Sequence, residues 1–502
     1  MKLLHELVRT LTQNKTKSIT VLDLDRQGDT KLERLFRLLR QDEELTDERA
    51  RAELYPDRDS PSSYHKLKYE LTDRLINTAF LIDVKDSKYS DRRRALVECQ
   101  RQLSFSVIMN NLYARQNAIA ACERAIRVSQ RYHFTLEEIS ATQRLLHLLN
   151  ITGRTKRSRQ LYDRSFQLME LNQKETSARL HLMELQSHFI NARSGKKRHV
   201  TDLAERIAAV RALPGQLTSP ALISSLALLE MAHCQATGDA DRAARVLEGS
   251  LAELREAGFS SQEQEFKLTL NLLTVYLVQK EFSKGNALYN DALERLRPRE
   301  YNRYRLDEVH FVFLLHTHQY AAAVALHRQV TRKRDFSGQA AHVREVWAIF
   351  GAYLEILRAA GRIPASEDPP TFRINRYLNT VETFAKDKSG HNVPVLISHV
   401  VLLLQKNDLD AIDDRTEALD KYRSRYLRGP ENRRGELFFR MLRQLPRAHF
   451  DPAELILRTT PLLDELKAIS TALGSVSYDQ EIIPYEDLWN IILEELSKRK
   501  YD

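Results

Sequence analysis

The sequence predicts an all-α protein: an α-solenoid of stacked helical hairpins with a distinct helical cap at each end. Three observations predict it. A helix-turn-helix pattern repeats between Ala221 and Arg334, with turns at Gly238-Asp239-Ala240, Lys280-Glu281-Phe282 and His318-Gln319-Tyr320. Glycine (15) and proline (14) are scarce in 502 residues. Each is near 3 %, against the usual ~7 % and ~5 %, which argues for helices joined by short turns. Finally, 42 % hydrophobic residues beside 29 % charged ones suit helices that each keep one face in water.

The helices after the three turns carry the same pattern. At fixed offsets they place Ala243, Leu247 and Ser250, then Gly285, Tyr289 and Ala292, then Ala323, His327 and Val330. Small, large and small residues at steps of four and three share one helical face. The small ones admit a neighbouring helix, and the large one fills the gap between units. Upstream, Ser158, Tyr162 and Ser165 follow Gly153, and Ala118, Cys122 and Ala125 follow the turn near Tyr113. These offsets resemble the second helix of a tetratricopeptide repeat (TPR). In the first helix Tyr276 stands at the aromatic position, while Cys234 and Leu149 replace it elsewhere. The turns recur every ~40 residues rather than the family's ~34. The resemblance covers roughly 95–335, and it implies stacked hairpins whose first helices line a partner-binding surface.

In order, residues 1–90 read as an N-terminal helical cap. Leu3, Leu4, Leu7, Val8 and Leu11 line one helix face, and Ser18 to Asp25 reads as a short strand or loop. Helices follow over Leu32–Leu39 and from Thr46-Asp47 to before Pro56. Ser60-Pro61 caps a long helix carrying Leu67, Leu71, Leu75, Ala79 and Ile82. Residues 91–365 form the repeat array, interrupted by the connector Leu213–Pro220. The stretch Ile363 to Pro370 is the best linker in the chain. Residues 366–502 hold hairpins and a C-terminal cap: Val393–Lys406, Leu409–Tyr426, Leu437–Leu445, and a helix opened by Asp451-Pro452 that Pro461 kinks or breaks. A last amphipathic helix carries Leu488, Ile491, Ile492 and Leu496.

Composition narrows the function classes. Cys99, Cys122 and Cys234 form no C-x-x-C pair, so buried thiols in a reducing cytoplasm are expected. Charge inside the opening Met1–Glu6 argues against a signal peptide, and the longest apolar run, Val393 to Leu404, is too short to span a bilayer. No catalytic residue, cofactor or metal is assigned. His181, Glu184 and His188 share a helix face but lack His-Glu-x-x-His spacing and a fourth ligand. His310, His316 and His318 straddle a turn. Ser194-Gly195-Lys196-Lys197 lacks the upstream glycine of a phosphate loop, since Ile190 stands there. Asp23, Asp25 and Asp29 do not complete a calcium loop.

The expected function is therefore a non-enzymatic scaffold that binds a peptide or helix of another protein. Candidate contacts on the first helices are Gln235, Lys267, Asn271, Gln279, Arg305 and Glu308. The alternative is a nucleic-acid-binding or regulatory protein. The formal charge is +9, and basic clusters recur at turns: Arg92, Arg93 and Arg94; Lys156 and Arg157; Lys196, Lys197 and Arg198; Arg332, Lys333 and Arg334. Ser62, Ser63, His65, Lys66 and Lys68 open a helix at the N-terminal cap, as in a DNA-reading motif. The Tyr55–Pro61 connection is longer than the turn of that motif.

Overall fold

A computed structural model describes residues 30–42, 45–56, 61–79, 91–153, 158–191, 202–258, 262–296, 300–363, 372–378, 392–426, 433–469 and 481–498. These are all-helical, with no strand among them. The stretches expected at Leu3–Leu11, at Ser18–Asp25 and around Gly195 lie outside the described residues. The chain divides into two compact units, Met1–Met169 and Glu170–Asp502.

The first unit opens with α1 (Lys31–Gln41), α2 (Asp47–Leu54) and α3 (Pro61–Ala79). Thr30 and Glu33 cap α1 reciprocally: Thr30 Oγ1 accepts from the Glu33 amide (3.3 Å), and the Glu33 carboxylate accepts from the Thr30 amide (3.0 Å). Leu32, Leu35, Ala50, Leu54, Tyr64 and Leu71 form the core of these three helices. Three further helices, α4 (Asp91–Asn111), α5 (Arg115–Tyr132) and α6 (Thr135–Ile151), pack in order, and α4 also touches α6. Helix α7 (Ser158–Asn191) carries the division between the units.

The second unit continues with α8 (Leu203–Ala212), α9 (Pro220–Thr237), α10 (Ala240–Glu256), α11 (Gln262–Gln279), α12 (Phe282–Leu296), α13 (Glu300–His316), α14 (Tyr320–Thr331) and α15 (Ala341–Ala359). After these come α16 (Asn392–Gln405), α17 (Leu409–Tyr426), α18 (Arg433–Leu442), α19 (Gln444–Arg447), α20 (Pro452–Ala468) and α21 (Tyr485–Lys498). Sequence neighbours pack on each other. In addition α9 meets α11, α11 meets α13, and α13 meets α15. One apolar core runs from Ile223 to Leu496, so helices on both sides of the expected Ile363–Pro370 linker share it. Tyr353 of α15 reaches across, its hydroxyl donating to the Pro394 carbonyl at 3.1 Å.

The turns are built alike. Gly238, Lys280, His318 and Asn407 take left-handed backbone (φ 75°, 59°, 57° and 63°), as does Tyr113 in the first unit. The next residue then donates its amide to a carbonyl five back: Asp239 to Cys234 (2.9 Å), Glu281 to Tyr276 (2.9 Å), Gln319 to Leu314 (2.8 Å). This closes the last helical turn and satisfies a carbonyl that would otherwise be stranded. A non-glycine residue gives up about 1–2 kcal/mol to sit there, which the bond and the packing of the hairpin offset.

Of the offsets read from the sequence in the second unit, all but the half-buried Ser250 are buried. Ala243, Gly285 and Ala323 lie inside, as do Leu247, Tyr289 and His327. At Gly285 an added Cβ would lie 2.2 Å from the Phe313 ring, so α12 and α13 approach as only glycine allows. In the first unit Ala118, Cys122 and Ala125 are buried, and so are Ser158 and Ser165, whereas Tyr162 is exposed. The caps at Ser219-Pro220 and Asp451-Pro452 form, with side-chain oxygens 3.1 and 2.9 Å from the amides of Leu222 and Glu454. Pro461 does not break α20. Its missing amide strands only the Leu457 carbonyl, beside an exposed side chain that leaves it open to water.

Candidate interaction surface

In the first unit α4 and α6 flank a groove of about 440 Å³ lined by Asn110, Ser140, Gln143, Arg144 and His147, with Ser106, Val107 and Leu148 at its base. Leu145, Leu146, Leu148 and Leu149 turn α6 inward. Their helical spacing leaves Gln143, Arg144 and His147 on the open side, and all three are exposed. Ser106 is buried and spends its hydroxyl on the Leu103 carbonyl (2.7 Å). Gln143 reaches Met169 Sδ at 3.8 Å. The lining contains one arginine, one histidine and several neutral polar groups, with no carboxylate. Chemically it can donate hydrogen bonds to carbonyl or carboxylate oxygens of an extended segment.

The contacts expected on the first helices of the second unit are largely used within the chain. Lys267 pairs with Glu263 (2.9 Å), and Asn271 donates back to the Lys267 carbonyl (2.7 Å). Gln279 donates to Asp241 (2.7 Å). Arg305 and Glu308 pair with each other at 2.6 Å, and Glu308 is buried, so its carboxylate is held inside and not on a binding face. Gln235 is half-buried on α9. Lys267 and Asn271 thus adjoin on α11, but the structure does not gather the six residues into one site.

The basic clusters are also dispersed in role. Arg92 donates to the Tyr132 carbonyl (2.8 Å) and lies over the Phe134 ring (4.5 Å), closing the C-terminus of α5. Arg94 pairs with Asp91, and Arg93 is exposed. Lys333 turns inward to Asp307 (3.7 Å) and the Tyr304 ring (5.0 Å), while Arg332 and Arg334 are exposed. Lys156, Arg157, Lys196, Lys197 and Arg198 lie outside the described residues. At the N-terminal helices Lys68 is bound to both oxygens of Asp47 at 2.8 Å, whereas Ser62, Ser63, His65 and Lys66 are exposed.

Among the described residues no group of three His, Cys, Asp or Glu side chains converges to hold a metal. Glu184 is bound by Arg206, and the His188 side chain lies outside the described residues. His310 stacks on Tyr289 (3.8 Å), His316 Nε2 meets the Glu481 carbonyl (2.6 Å), and His318 meets the Tyr320 hydroxyl (2.7 Å). Sequence reasoning missed the group around Asp307, where Tyr289 (2.8 Å) and Arg303 (2.7 Å) both donate to Oδ1. It ties α12 to α13, and Lys333 draws in the turn after α14. The α4/α6 groove was missed too, although Ser140, Gln143 and His147 recur at helical steps in an otherwise apolar segment.

Buried histidines give the second unit an acid-sensitive window. Burial drops His399 to about 4, helped by Arg415, and drops His310 to about 4, with Asp307 opposing. The unfolded chain takes these protons near pH 6.5, so stability falls as pH drops from 6.5 toward 4. The loss is on the order of 3 kcal/mol at most for the enclosed His399, and less for half-buried His310. Glu308 works the other way. Burial pushes it up to about 7 despite Arg305, so it favours folding increasingly as pH falls from 7 toward 4.5. Urea melts at pH 7 and pH 4.5 should show a net loss in acid, because burial lowers His316 and His327 as well. His399→Gln should flatten that dependence; an unchanged slope would count against the assignment.

Among the described residues no helix is long and apolar enough to cross a membrane. Comparison of the chain with models of known families, with curated proteins and with solved structures found no match.

Proposed function

We propose that the protein is a non-enzymatic scaffold, a TPR-like α-solenoid in which first helices of successive hairpins present a surface to a segment of another protein. The packing of α9, α11, α13 and α15 each on the next supports the solenoid, because such helices bury their apolar faces only by stacking. The observation that carries the binding role is the α4/α6 groove, open, polar and free of carboxylates, with Arg144 and His147 exposed along it. Its chemistry suits an extended segment bearing acidic side chains. The nucleic-acid alternative has less to draw on, since Arg92, Arg94, Lys68 and Lys333 are already spent on partners inside the chain.

A peptide array probed with the full chain tests this reading. Peptides with acidic side chains should dominate the binders, and Arg144→Glu should weaken them at least tenfold with an unchanged far-ultraviolet spectrum. Binders indifferent to Arg144→Glu would sink the proposal. So would capture from a lysate that disappears only after nuclease treatment, with affinity falling steeply with salt.

A further inference from the structure

Helix α17 and the α18–α19 corner flank a cleft of about 570 Å³ in the second unit. Asp413, Asp420, Lys421 and Arg423 line the α17 wall, and Arg443 and Arg447 line the other. Four cations thus face two carboxylates. Arg443 joins α18 to α19 with helical backbone (φ −64°, ψ −20°), so Arg447, four residues on, shares its face. No aromatic side chain lines the cleft, and Pro446 is its one wholly apolar group.

An ion-pair ladder runs beside the cleft and ends one anion short. Arg433 binds Glu465 (2.8 Å) and Glu436 (2.8 Å). Glu436 also accepts from Arg423 (3.3 Å), which donates in turn to Asp420 Oδ1 (3.1 Å). Asp420 Oδ2 receives Arg443. Arg433 and Arg423 therefore each lie between two carboxylates. Arg443 has Asp420 alone, and the exposed Arg447 has no acidic partner among the described residues. A guanidinium carries five N–H donors, so this end of the ladder keeps most of its donors unspent.

Two neighbouring guanidiniums with unspent donors match the oxygens of a phosphate group, which accepts forked pairs. The cleft is larger than one phosphate fills and falls within the range of small-molecule sites, ~300–1,000 Å³. Its other side chains decide what the phosphate is attached to. With no ring to stack on, a nucleobase gains little here. A carboxylate accepts hydrogen bonds from hydroxyls, and Asp413 stands exposed on the α17 wall.

We propose that this cleft binds a phosphorylated polyol, its phosphate held between Arg443 and Arg447 and its hydroxyls by Asp413. The cleft belongs to the second unit and the α4/α6 groove to the first, so neither proposal rests on the other.

Calorimetric titration of the full chain with glycerol phosphate, glucose-6-phosphate, inorganic phosphate and glucose tests it. At least one of the two esters should bind about tenfold more tightly than inorganic phosphate, and glucose should give no heat. Arg447→Ala should weaken that ester about tenfold or more. The side chain is exposed and unpaired, so the far-ultraviolet spectrum and the urea midpoint should stay unchanged. Asp413→Ala should weaken the ester and leave inorganic phosphate as it was. Absence of binding by both esters, or ester binding indifferent to Arg447→Ala, overturns the proposal. So does inorganic phosphate or adenosine monophosphate binding as tightly as the better ester.

Discussion

Gly285→Ala is expected to destabilise the second unit by about 1–3 kcal/mol, although alanine in place of glycine inside a helix ordinarily stabilises by ~1 kcal/mol. The reversal comes from Phe313. The new methyl would lie 2.2 Å from its ring, which is buried and set edge-on to Phe282 at 5.9 Å. The Phe313 ring is enclosed by the core, so α12 and α13 must separate to admit the methyl. Gly249→Ala supplies the contrast. That position on α10 is exposed, nothing lies within 4 Å of the added carbon, and a gain of about 0.5–1 kcal/mol is expected. Trp347 and Trp489 are the two tryptophans, and both are buried in the second unit, so their fluorescence in urea reports this transition. Combining Gly285→Ala with Phe313→Leu should recover part of the loss. Should both alanine variants move stability in the same direction, close approach of the two helices is not what the glycine serves.

Arg434→Met is expected to cost the same unit about 3–5 kcal/mol. The guanidinium of α18 is nearly enclosed. It donates to the carbonyls of Leu466 (2.6 Å) and Ile469 (2.8 Å) at the end of α20, to Glu481, and to Glu486 (2.9 Å) in the first turn of α21. Glu481 in turn accepts the Tyr485 amide at 3.0 Å. Removing the cation leaves two carboxylates facing each other and uncovers helix-end carbonyls in one stroke. Lysine should not rescue it, because an ammonium cannot fork to four acceptors. Adding Glu481→Gln to Arg434→Met should restore part of the stability by removing an unpaired charge. A loss under about 1 kcal/mol for Arg434→Met would show that burial, not the charge network, holds α21 in place.

Much of the helix layout was legible because it depends on near neighbours. Apolar spacing stops at Gly238, Lys280 and His318, and Ser219-Pro220 and Asp451-Pro452 cap helices by contacts three residues apart. Offsets after the turns mark Gly285 as a packing position, although its neighbour Phe313 lies on the next helix. The interaction surface was hardly legible. Whether Lys267, Gln279 or Arg305 is available depends on Glu263, Asp241 and Glu308 meeting them, and Asp241 is 38 residues away from Gln279. Nothing local marks Arg434 as enclosed, since its four acceptors, Leu466, Ile469, Glu481 and Glu486, come from segments far along the chain. Pro461, expected to kink or break its helix, lies inside one that is unbroken from Pro452 to Ala468, and the Leu457 carbonyl it strands sits beside an exposed side chain, open to water.

The three cysteines have a practical meaning. Burial pushes the thiols of Cys99, Cys122 and Cys234 up, away from the reactive thiolate, and their sulfurs are walled in by α4, α5, α9 and their neighbours. Two sit in the first unit and one in the second. Each body therefore carries a chemical clock of its own, which starts only when that body breathes.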